Sequence, residues 1–197
     1  MPERFYSIFM KRRETGVIRW RWILFANNWP YDDEGTRARD TYLVKNGVLT
    51  GRLHSAATAA ALDEAVTGNA RAISFEFEPI VRMTSTWIAG GTDTFESLLR
   101  GAEGGLYIPD FFHGSGMSTF TIAPARAYRI RGGKPAEPVL VSVISGNVMQ
   151  TLHQIDGATA ETELHSLFTG GCGKMEQWPL RVAFGGPYLR VRGLKVQ

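Results

Sequence analysis

Residues 118–143, STFTIAPARAYRIRGGKPAEPVLVSV, carry the pattern that sets the fold class. Aromatic, β-branched and small residues run up to Gly132-Gly133 and resume after it, so the stretch reads as two strands joined by a two-residue turn. Both central residues of such a turn take positive φ, which glycine reaches without a Cβ clash. The same grammar occurs earlier, where residues 42–53, YLVKNGVLTGRL, hold Asn46-Gly47, a strong hairpin signal. Each hairpin is followed by a helical segment. HSAATAAALDEAV (54–66) predicts a helix over residues 55–66, with Ser55 as N-cap and a stop at Gly68-Asn69. SGNVMQTLHQIDG (145–157) predicts a helix over 146–156, with Asn147 and Gln150 as a reciprocal cap and Val148, Leu152 and Ile155 as its apolar stripe.

Shorter elements fill the remainder. In AISFEFEPIVRMTSTWIAGG (72–91), Ile73, Phe75 and Phe77 alternate with Ser74, Glu76 and Glu78, which predicts strands. TDTFESLLRGAEGG (92–105) predicts a short helix capped by Asp93 with Glu96 and ended by Gly101. VIRWRWILF (17–25) places Ile18, Trp20, Trp22 and Leu24 on one face of a strand with Arg19 and Arg21 opposite. The class is α+β: mainly antiparallel β-sheet with two hairpin-helix units and a few short helices.

Bulk composition narrows the function. A chain of 197 residues, 44% hydrophobic and 21% charged, is long enough to bury its own core. No apolar run approaches the roughly 20 residues of a membrane helix, so no membrane partner is expected. A lone cysteine forms no internal disulfide, and MPERFYSIFMKRRETG lacks the features of a secretory signal, so the expected location is cytoplasmic. The net charge of +3 is concentrated in residues 1–30, which hold six basic residues against Glu3 and Glu14. A nucleic-acid surface usually spreads its charge over a folded face, so no nucleic-acid partner is expected.

The candidate chemistry centres on two glycine-rich stretches. Cys172 stands between Gly171 and Gly173 with Lys174 following, the surroundings of a flexible loop beside a positive charge. FFHGSGMST holds His113, Gly114, Ser115 and Gly116, which read either as a tight turn between strands or as a loop that lets an extended peptide approach the backbone. It is not a G-x-S-x-G elbow. His54, His113, His153 and His165 are followed by Ser55, Gly114, Gln154 and Ser166, so the chain contains no H-E-x-x-H helix. His165, or Asp110 with His113, are the available companions for Cys172 as a metal site, against bland roles for His54 beside a helix cap and His153 beside a helix stripe.

Taken in order, DDEGT (32–36), YLVKNGVLTGRLHS (42–55), TGNARA (67–72), PIVRMTSTWI (79–88), GGLYIPDFFHGSG (104–116), AYRIRGGKPAEPV (127–139), ISGNVMQTLHQI (144–155) and GGCGKMEQWPLRVAFGGPYLRVRGL (170–194) resemble the C-terminal part of the TldD/PmbA metallopeptidases, also called modulators of DNA gyrase. The resemblance implies a C-terminal domain over residues 31–197, preceded by a divergent basic segment over 1–30 that fits a remnant, a different start or the product of truncation equally. It implies a zinc peptidase acting on extended or unfolded peptides, whose metal is held by two histidines of an H-E-x-x-x-H helix and a C-terminal cysteine. Cys172 matches that cysteine, and Lys174 is the neighbour that would favour its thiolate. The histidines and catalytic glutamate belong to the family's earlier half, so the resemblance assigns this chain no catalytic residue. It implies zinc only with a partner chain, in a homo- or hetero-oligomer with a TldD/PmbA-type protein. The alternative is a non-catalytic partner or peptide-docking subunit of such a protease.

Overall fold

The computed structural model describes residues 6–9 and 29–197, with residues 6–9 and 166–170 described through their backbone alone. The strand expected over residues 17–25 lies outside the described residues. The described residues form two compact units, each assembled from separate segments: residues 6–9, 88–163 and 186–197 belong to one, and residues 29–87 and 164–185 to the other.

The first unit is built on an eight-stranded, mostly antiparallel sheet. Its order runs Ile155–Ala158, Leu189–Arg192, Tyr6–Phe9, Leu106–Gly116, Thr119–Arg131, Ile144–Asn147, Lys195–Val196, with Lys134–Pro138 also paired to Thr119–Arg131. The pair Tyr6–Phe9 and Leu106–Gly116 is parallel. The expected turn sits at Gly132 (φ 58°) and Gly133 (φ 67°), between the paired Arg131 and Lys134. Glu103 closes it by accepting both turn amides at 2.9 Å. One sheet face buries Leu106, Ile108, Ile144 and Val191. A second cluster joins Ile130 to Leu98, Leu99 and Ala102 of the segment around helix Phe95–Arg100. Each of these large aliphatic side chains contributes about 1.5–3 kcal/mol on burial.

Two helix ends in this unit differ from expectation. Phe95–Arg100 is capped by Thr94 with Ser97 rather than by Asp93 with Glu96. The Asp93 carboxylate instead accepts the Ala158 amide at 3.0 Å, fastening the helix start to the sheet edge. In Val148–His153 the Asn147 side chain accepts the Gln150 amide at 3.1 Å, one half of the expected reciprocal cap, and the helix stops short of 156. Ile155 there begins a strand and packs on the sheet core, leaving Leu152 exposed at the helix surface.

In the second unit, Asn46 (φ 52°) and Gly47 (φ 76°) make the expected turn between Val44–Lys45 and Val48–Leu49. Ser55 caps helix Ala56–Leu62 reciprocally with Thr58. This helix ends at Asp63 (φ 53°), ahead of the expected stop, because the chain turns back to enclose His54. Glu64 Oε2 meets His54 Nε2 at 2.7 Å, and the His54 amide donates to Thr67 Oγ1 at 2.6 Å.

Ile73–Phe77 is a turn rather than the expected strand. The Phe77 amide donates to the Ser74 carbonyl at 3.2 Å, and Phe75 is 98% exposed. Alternation there has no apolar face to bury. The flanking segments Ala70–Arg71 and Ile80–Val81 pair antiparallel. A three-stranded sheet, ordered Glu163–Lys174, Gln177–Gly186, Ser85–Trp87, completes the unit. Among the described residues no helix is long and apolar enough to cross a membrane.

Candidate functional site

Cys172 lies near the end of strand Glu163–Lys174, not on a flexible loop, and it is half-buried. Its glycine neighbours answer a packing demand. A β-carbon at Gly171 would stand 2.1 Å from the Leu180 carbonyl oxygen, and one at Gly173 would meet the Trp178 ring at 3.1 Å. The strands are pressed together where the thiol leaves the sheet. Lys174 Nζ donates to the Val81 carbonyl at 2.9 Å, so its ammonium is held by the backbone of the Ile80–Val81 segment.

The sequence reading missed the polar groups beneath this strand end. Arg82, 2% exposed, donates from Nη1 to the Gln177 carbonyl at 3.2 Å and from Nη2 to the Cys172 carbonyl at 2.5 Å. Arg71, also buried, donates to the carbonyls of Met83 at 2.9 Å and Arg181 at 3.1 Å. Burial holds the Arg71 guanidinium below its ordinary range, against the opposing pull of Asp33; Arg82 pushes the same way as burial, and Cys172 pulls with Asp33. Gln177 is buried too, accepting from the Ile73 amide at 3.2 Å and donating to the Glu78 carbonyl at 2.9 Å. The signal available in the sequence was Arg82 set between Val81 and Met83, a charge inside an apolar run.

His165 shares the strand of Cys172 but lies seven residues before it, about 23 Å along an extended chain, too far to share one ion. Its ring faces Phe184 with centroids 6.1 Å apart. His54 is enclosed by Glu64 and Thr58, and His153 is exposed at a helix end. His113, Gly114, Ser115 and Gly116 form the exposed end of strand Leu106–Gly116, paired with Phe120–Ala123, so they are neither a loop nor the turn. The turn follows at Met117-Ser118. Asp110, behind them, is ion-paired with Arg126.

A thiolate is a donor suited to zinc. Among the described residues no group of three or more His, Cys, Asp or Glu side chains could hold a metal ion. Cys172 therefore fits zinc in kind, while the described residues do not complete a ligand set around it.

The family profile described as the PmbA/TldA metallopeptidase C-terminal domain matches residues 25–197. The chain belongs to the TldD/PmbA family. It is 43% identical over 170 residues to a metalloprotease of Synechocystis, covering 86% of this chain and 36% of that protein. It is 33% identical over 168 residues to a zinc metalloprotease TldD homolog of Saccharolobus solfataricus, covering 84% and 37%. The crystal structure of TldE from Thermococcus kodakarensis shares the fold, with a TM-score of 0.68 and 19% identity over 85% of this chain and 36% of that one. The chain thus spans little more than a third of the length of these relatives.

Proposed function

We propose that this chain is the C-terminal domain of a TldD/PmbA-type zinc metallopeptidase that acts on extended or unfolded peptides, with Cys172 as its metal ligand. Family membership over residues 25–197, which includes Cys172 on its braced strand, carries this reading. A partner chain of the same family, in a homo- or hetero-oligomer, supplies the two histidines and the general-base glutamate. The relative named a zinc metalloprotease supports zinc as the metal. The chemistry such a metal supplies is polarisation of the peptide carbonyl and activation of water. In this reading the assembly works in the cytoplasm on peptide rather than nucleic acid.

Metal content and peptide cleavage of the full chain, mixed with a TldD-type chain bearing H-E-x-x-x-H, test the proposal. Zinc retained and unfolded peptide cut by the mixture, with both lost in Cys172→Ser while that variant stays folded, is the expected result. Zinc uptake unaffected by Cys172→Ser would overturn it.

The second reading, a non-catalytic peptide-docking partner, draws on the exposed backbone of His113, Gly114, Ser115 and Gly116. It expects peptide binding without cleavage in the mixture, weakened by Gly114→Val.

A further inference from the structure

Arg82 is a fully buried cation whose hydrogen bonds go to two backbone carbonyls, Cys172 and Gln177, while its Nε has no partner among the described residues. Burying a guanidinium without a carboxylate is costly, and an apolar residue of similar volume would fill the space at lower cost. What Arg82 adds is a brace between defined points. Its two bonds strap together the strand ends on either side of the tight turn at Met175 (φ 53°). The adjacent Val81 carbonyl takes Lys174 from the same turn. The direction of a side chain is set by its backbone, and the Cys172 carbonyl belongs to the peptide plane directly after the Cα that bears the thiol.

We infer that Arg82 is a positioning residue, holding the Cys172 peptide so that the Cα–Cβ bond bearing the thiol leaves the strand in one fixed direction. The importance of that direction rests on Cys172 being the metal ligand, as proposed above. The placement itself is measurable without metal, so its failure and the failure of zinc uptake are separate results.

The test uses the full chain, in which Cys172 is the only cysteine. Arg82→Met removes every donor at similar length, and Arg82→Lys keeps one charged donor. Alkylation of the thiol by iodoacetamide and amide hydrogen exchange at residues 172–174 and 180–183 are followed together. Losing a charge-assisted hydrogen bond should speed alkylation about tenfold in Arg82→Met, with return to within about threefold of the parent in Arg82→Lys. Exchange should rise at 172–174 and stay unchanged at 180–183. A generally structural arginine would loosen both stretches together with no recovery in the lysine variant. That pattern, or unchanged alkylation in a folded Arg82→Met, overturns the inference. If neither variant folds, the unsubstituted protein decides: slowly exchanging Arg82 Nη protons with a nuclear Overhauser contact to the Cys172 Hα sustain it, and fast exchange overturns it.

Discussion

Gly171 approaches Leu180 so closely that any side chain must displace the backbone of the neighbouring strand. Gly171→Ala should therefore lower stability by about 1–3 kcal/mol, as overpacking does in rigid cores. Urea unfolding checks this, and an unchanged midpoint would show that the strand pair yields. Glu103 acts by charge instead. The Gly133 and Gly132 amides, with help from Arg131, hold its carboxyl below the ordinary 4.5. A depressed acid contributes stability above its unfolded value and loses it as pH falls through the folded one. Thermal melts recorded across the range below pH 4.5 should show this loss, and Glu103→Gln should flatten that part of the profile.

Local elements behave as their turn and cap chemistry dictates. Gly47 needs its φ of 76°, so Gly47→Ala should cost about 1 kcal/mol, read as a lower melting temperature with the rest of the fold intact. Thr94→Ala removes the cap of Phe95–Arg100 and should cost about 1 kcal/mol in the same assay. The Thr94 cap was read one residue early, whereas Gly47 was legible because a turn involves residues within a few positions of one another. The expected strand over Ile73–Phe77 was not, because alternation marks a strand only where a second surface exists to cover one face. Asp93 misled for a related reason, since its carboxylate answers a strand amide 65 positions away while the Ser97 amide of the helix donates to Thr94 Oγ1.

For the molecule as a whole, catalysis should depend on assembly. The purified chain alone is expected to hydrolyse no unfolded peptide under any divalent metal, and to gain zinc-dependent, chelator-sensitive cleavage only with the H-E-x-x-x-H chain. Cleavage by the lone chain would place a complete site within these 197 residues.

Sequence by itself determined the α+β class, the two hairpins, the helix starts at Ser55 and Asn147, and the family to which Cys172 belongs. All of these are written in nearest-neighbour chemistry or in the order of short motifs. Only the tertiary structure decided that Cys172 stands on a braced strand rather than a loose loop. The atoms responsible come from far along the chain, with Arg82 90 positions from Cys172 and Lys174 93 from Val81. A flanking glycine looks the same in sequence whether it confers freedom or makes room for a neighbouring backbone, and only the Leu180 carbonyl beside Gly171 distinguishes the two.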